Sequence, residues 1–131
     1  MTRYITTPIY YVNDRPHLGH LYTTLAADIL CRFFRLSGHD VVMATGTDEH
    51  GAKVAQSAEQ KGISPRQLTD DMSVHFKEVV ALANVQDATF IRTTESRHAK
   101  AVHALWDKLV ANGHIYEGAY EGWYAVRDEA T

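Results

Sequence analysis

Three short runs rich in β-branched and aromatic residues are each followed by a stretch of helical apolar spacing, and this alternation restricts the fold more than any other feature. The runs are "RYITTPIYYV", "DVVMATG" and "ATFIRT". The first has the residue types of a strand and is predicted to end near Pro8, because proline cannot donate to a ladder. From Pro16 onward Leu18, Leu21, Leu25, Ile29 and Phe33 recur at helical spacing, and Gly38 supplies a C-terminal stop. Pro16 itself suits a first helical turn, where a missing N–H is not needed. "DVVMATG" is a short apolar run between turn signals, as expected of a buried parallel strand. "AKVAQSAEQK" predicts a helix ending at Gly62. Ser64, Pro65 and Gln67 then open another with a capping box, and its apolar face carries Leu68, Met72, Phe76, Val79 and Val80. After "ATFIRT" a last helix is predicted from about Glu95 to Asn112, burying Val102, Leu105, Trp106 and Leu109. The tail "IYEGAYEGWYAV" has the glycine and aromatic content of a hairpin. Strands alternating with helices imply right-handed crossovers and an α/β fold: a parallel sheet flanked by helices. Ligands on such sheets bind beyond the carboxyl ends of the strands. "NDRPHLGH" and "GTDEHG" lie there.

The 131 residues give room for one domain with a fair core. A net charge of -3 lacks the basic footprint that dominates nucleic-acid binding, but leaves a small anionic ligand open. One cysteine, Cys31, allows neither an intrachain disulfide nor a CxxC zinc knuckle. The N-terminal residues lack the apolar core of a signal peptide, and no run of about 18 apolar residues suggests a membrane span. A cytoplasmic setting is the default expectation.

His17, Gly19 and His20 fall at a predicted helix start, where free backbone N–H groups and the helix dipole favour an anion. Gly19 lets a ligand approach the backbone. Histidines three apart share a helix face and can both donate to phosphate oxygens, stabilising charge that grows in phosphoryl or nucleotidyl transfer. The bland alternative is a pair of surface histidines. A metal reading would combine His17, His20, His50 and Asp48 in a nitrogen and oxygen site. In "GTDEHG", Asp48 suits either a ligand ammonium group or the N-cap of the helix at Ala52. Of Tyr10 and Tyr11, strand alternation sends one to the core and the other to the opposite face. His39, His75, His98, His103 and His114 read as surface residues.

Taken jointly, "TTPIYYVNDRPHLGH", "GTDEHG", "FIRTTESRH" and "GWYAVRDEA" resemble, in order and spacing, the bacterial methionyl-tRNA synthetases, along essentially the whole chain. HLGH alone resembles the HIGH signature common to class I synthetases and related nucleotidyltransferases. "GTDEHG" favours the methionine enzyme over its leucine, isoleucine, valine and cysteine relatives. The resemblance implies the N-terminal half of a Rossmann-like class I catalytic domain over residues 1–114, with the start of a connective insertion at 115–131. It implies activation of L-methionine by ATP, entering with Mg2+, to methionyl-adenylate, and transfer to tRNA(Met). His17 and His20 match the histidines that contact ATP phosphates. Asn13 and Gly19 match the surrounding nucleotide loop. Asp48 matches the residue that binds the methionine ammonium, and Ile9 and Tyr11 match the wall of the methionine pocket.

No KMSKS-type loop occurs in the chain, and it ends "RDEAT" where the family's insertion has only begun, with Thr131 where an aromatic residue is expected. The expectation is therefore an N-terminal fragment, binding no zinc, with little or no activity by itself and a tendency to self-associate. Two rivals stand beside it: a small stand-alone HxGH-type nucleotidyltransferase, and an inert folded module.

Overall fold

The computed structural model describes residues 1–85, 87–123 and 125. It contains two compact units, Met1–Ala99 and Lys100–Thr131. The first holds β1 (Arg3–Thr6), β2 (Tyr10–Tyr11), α1 (Leu18–Leu36), β3 (Val41–Asp48), α2 (Ala52–Gln60), α3 (Pro65–Leu82) and β4 (Ala88–Arg92). Helix α4 (Ser96–Ala111) begins there and runs into the second unit.

All pairings in the sheet are parallel, and β3 lies at its centre. Thr47 of β3 pairs with Tyr10 on one side and Arg92 on the other, while Ala44 pairs with Thr6 and Thr89. So β1 and β2 occupy the same edge of β3, as one strand interrupted at residues 7–9. The strand expected to stop near Pro8 instead resumes. Proline breaks the ladder locally, and the chain re-enters it one residue out of phase. From Thr6 to Tyr10 the chain advances four positions, against three from Ala44 to Thr47. This is a one-residue bulge. The Thr7 and Thr45 hydroxyls, 2.6 Å apart and buried, tie it to β3. The extra residue turns Tyr10 to the same face as Ile5, Met43 and Thr47, and Tyr11 to the other.

That shared face carries the core. Ala27 and Cys31 of α1 pack with Met43 and Val85; Tyr10 and Val12 pack with Val54 and Ala58 of α2 and with Leu68, Met72 and Phe76 of α3. Both crossovers thus return over one face, as right-handed connections between strands laid down in one direction require. Helix α3 follows its sequence closely. Ser64 accepts from the Gln67 N–H, Gln67 accepts from the Ser64 N–H, Pro65 opens the first turn, and Leu68, Met72 and Phe76 are buried.

Helix α1 corrects the sequence reading. Its buried residues are Thr24, Ala27, Asp28 and Cys31, small enough for close approach to the sheet. The large apolar row is turned outward: Leu18 is 81% exposed, Ile29 63% and Phe33 59%. The sheet covers the face of small and polar residues and leaves the large apolar row uncovered. Pro16 lies just outside α1, whose N-cap is His17; Gly38 follows the Ser37 C-cap with φ 81°. The last helix is also corrected: α4 buries no residue, with Val102, Leu105 and Trp106 exposed and Leu109 half-buried. Residues 114–123 form neither helix nor strand and Ala125 is a bridge residue, while the rest of the segment expected to form a hairpin lies outside the described residues. Most of "YAVRDEAT", Thr131 included, lies outside them.

Candidate active site

Where the interrupted strand ends, the loop to α1 wraps a cavity of about 410 Å³, lined by Pro8 to Tyr11, Asn13 to Arg15, His17 and His20. Six of the residues singled out from sequence therefore meet: Ile9, Tyr10, Tyr11, Asn13, His17 and His20. Arg15 joins them. Arg15 is a cation in the same loop that sequence reasoning passed over, although "DRPH" displays it.

The two histidines cap the helix with their own rings. Gly19 N–H donates to His17 Nδ1 at 3.1 Å, and His17 N–H donates to His20 Nδ1 at 3.1 Å. His20 N–H is taken by the His17 carbonyl. So the backbone donors expected to meet an anion are largely engaged within the loop. The compensation is chemical. With Nδ1 accepting in each ring, the neutral imidazole must carry its proton on Nε2. Two Nε2–H donors result, on rings whose centroids are 3.9 Å apart. Gly19 is needed for the same arrangement: a Cβ there would lie 2.8 Å from His17 Cε1. Its missing side chain makes room for the His17 ring.

His20 is held from behind. Its ring meets Tyr10 edge-on at 4.8 Å and Phe76 at 5.1 Å, while Tyr10 and Phe76 stack on each other. The Tyr10 hydroxyl is 3.0 Å from Thr24 Oγ1, which itself donates to the His20 carbonyl at 2.9 Å. Burial, and secondarily the neighbouring His17, hold the His20 imidazole below its ordinary pKa. It therefore stays neutral and keeps its single Nε2–H over more of the pH range.

Asp48 stands one strand across. It closes β3 and pairs in register with Tyr11, so the two side chains leave the same face of the sheet. It does not line the cavity around His17 and His20. The N-cap of α2 is Gly51, with φ 112° and no side-chain cap, which removes the helix-capping alternative for Asp48. Its neighbour Glu49 is buried against Arg92, an arrangement the sequence did not reveal because the partners are 43 positions apart. Among the described residues no group of three or more His, Cys, Asp or Glu side chains could hold a metal, so the combination of His17, His20, His50 and Asp48 does not assemble.

Residues 3–131 match the family described as tRNA synthetases class I (M). The chain belongs to that family. It is 59% identical over 129 residues to the methionine–tRNA ligase of Rickettsia bellii and 52% identical over 127 residues to that of Brucella suis. It covers 98% and 97% of its own length in these comparisons, and 25% of each relative. A solved structure of Mycobacterium tuberculosis methionyl-tRNA synthetase in complex with methionyl-adenylate superposes with a TM-score of 0.90 at 44% identity, over 97% of this chain and 25% of that one. The Rossmann-like parallel sheet flanked by helices is thus the family's fold, and the chain spans about a quarter of the length of its relatives. The match leaves the stand-alone nucleotidyltransferase without support.

Proposed function

We propose that this chain supplies the HLGH half of a methionine-activating site, and that a protein of its relatives' length carrying it joins L-methionine to tRNA(Met). The observation that carries the reading is the pair of histidines whose Nδ1 atoms accept backbone N–H groups and which line a cavity at the end of the first strand. In this reading ATP, with Mg2+, places its phosphates against the His17 and His20 Nε2–H groups, beside Asn13 and Arg15. Ile9 and Tyr11 wall the methionine side chain, and Asp48 pairs with its ammonium. The methionine carboxylate attacks the α-phosphorus in line, the bond to the bridging oxygen breaks, and pyrophosphate leaves. Fixed donors stabilise charge growing on the phosphates without reorganising. Methionyl-adenylate then awaits transfer to tRNA. Residues 115–131 begin the connective insertion, and the setting is the cytoplasm; none of the described helices is long and apolar enough to cross a membrane.

A protein of the relatives' length tests this by methionine-dependent pyrophosphate exchange. Asp48→Ala should weaken methionine binding far more than ATP binding; truncating one partner of a desolvated charge pair typically costs about 3–5 kcal/mol. An unchanged methionine affinity would remove Asp48 from the site.

For the chain by itself we propose low activity and self-association. What supports this is the outward row on α1, together with Tyr4, Val42 and Tyr11 exposed on the sheet face opposite the core. The outer edges of β1, β2 and β4 are also unpaired among the described residues.

A further inference from the structure

The "FIRTTESRH" segment has no part in the site described so far, yet it makes the densest polar network in the first unit. Glu49, immediately after β3, has a side chain with no solvent exposure. Arg92, the last residue of β4, donates to it twice, Nε to Oε1 at 2.7 Å and Nη2 to Oε2 at 3.0 Å. Thr47 Oγ1 donates to Oε1 at 2.7 Å, and Thr94 Oγ1 donates to Oε2. The Glu49 N–H donates to Thr93 Oγ1 at 2.9 Å. Arg92 Nη2 also reaches Asp70 Oδ1 on α3 at 2.6 Å. Each carboxylate oxygen of Glu49 thus accepts two hydrogen bonds, which fills its lone-pair directions. Glu49 has nothing left to offer a ligand; of the two adjacent carboxylates only Asp48 does.

The network fixes what lies between its anchors. Asp48 sits between Thr47 and Glu49, both of them tied into the same carboxylate. From the other direction the chain is loosely held, since α2 starts at Gly51 without a side-chain cap and His50 Nε2 is 3.4 Å from the Thr93 carbonyl. Orientation of Asp48 therefore comes from its β2 pairing with Tyr11 on one side and from the network on β4 on the other. The charges of the network cancel, since Glu49 and Asp70 are balanced by Arg92 and by Arg66, which pairs with Asp70 at 3.1 Å; what it gives Asp48 is rigidity.

We propose that Arg92 and Glu49 are positioning residues for Asp48, setting its carboxylate to receive the ammonium group of the substrate amino acid. This rests on the reading of Asp48 as the ammonium partner. A misplacement of about 1 Å in a reacting or binding group can cost up to a hundredfold.

The test uses pyrophosphate exchange in a protein of the relatives' length, with Arg92→Lys and the milder Thr94→Val, which removes one donor to Glu49. Arg92→Lys should raise the KM for methionine about tenfold and Thr94→Val about threefold, on the scale set by such misplacements, with the KM for ATP nearly unchanged. The decisive readout is competition by 4-(methylthio)butanoate, which is methionine without its amine. Its inhibition constant should be the same in the parent and both variants. Equal losses for methionine and the amine-free acid would mean that the network merely supports the fold, and would overturn the proposal. So would an unchanged methionine KM in both variants. Asp48→Asn run alongside separates the two levels: if it leaves methionine KM intact, the reading of Asp48 fails; if it raises KM while Arg92→Lys does not, the positioning role alone fails.

Discussion

A methyl group at Gly46 has no space to occupy. A Cβ built there lies 2.0 Å from the Ile91 carbonyl oxygen, 2.9 Å from its carbon and 3.1 Å from the Ile91 nitrogen, where ordinary contact begins at 3.4 Å. All three neighbours are backbone, so no rotamer change relieves the overlap. Gly46 pairs with Ile91 in the middle of the β3–β4 ladder, flanked by Thr45 opposite Phe90 and Thr47 opposite Arg92. Gly46→Ala must therefore push the two strands apart by more than about 1 Å, an overpacking change that typically costs about 1–3 kcal/mol. Weakening about two ladder hydrogen bonds adds about 1 kcal/mol each. The expected loss is about 3–5 kcal/mol, a large part of the roughly 5–15 kcal/mol by which such domains are stable. Urea unfolding followed by circular dichroism reads it directly: with a slope of about 1–3 kcal/mol/M, the midpoint should fall by about 2 M. Gly118→Ala serves as a control, since a Cβ there meets Tyr116 at an ordinary 3.7 Å. A Gly46→Ala midpoint within about 0.3 M of the parent, well inside the change this reasoning requires, would refute the close approach of β3 and β4.

Two further outcomes follow from the same geometry. Because burial lowers the His20 pKa, the folded chain binds fewer protons there than the unfolded chain, whose imidazole titrates near about 6.5. Stability from this group is complete above that value and declines as the pH falls toward the folded pKa, so the urea midpoint should be lower at pH 5.5 than at 7.5; a rise on acidification would contradict it. Replacing Ile29 and Phe33 on the outward row of α1 by lysine and glutamate should reduce self-association of the chain in sedimentation without lowering its unfolding midpoint; a loss of folding would show that this row is buried after all.

Sequence read well wherever the determinants are local. The capping box at Ser64 and Gln67, the turn residues Gly38 and Gly62, and the three parallel strands all rest on neighbours within a few positions. So does the meeting of Ile9, Tyr11, Asn13, His17 and His20, which one loop holds together. Periodicity reported the apolar row on α1 faithfully but carries no information about which layer covers it. The row facing the sheet hid behind Thr24 and Asp28, polar residues that do not register as core. Gly19 has a use that spacing alone did not show, since the space it opens is filled by a ring two residues earlier. Glu49 and Arg92 escaped altogether: a buried ion pair joining two strand ends depends on the sheet register, which no short spacing encodes.

The bulge at residues 7–9 makes this part of the chain sensitive to length more than to composition. It acts as a parity switch. Ile5 and Tyr10 share a face only because one residue has no counterpart on β3. Deleting one residue from the segment would remove the unpaired position and leave Ile5 and Tyr10 on one face by ordinary alternation. Deleting two would instead exchange the destinations of Tyr10 and Tyr11, placing a phenol in the open and withdrawing the brace behind His20. The parity of this segment's length, more than the identity of its side chains, therefore decides which tyrosine backs the histidine.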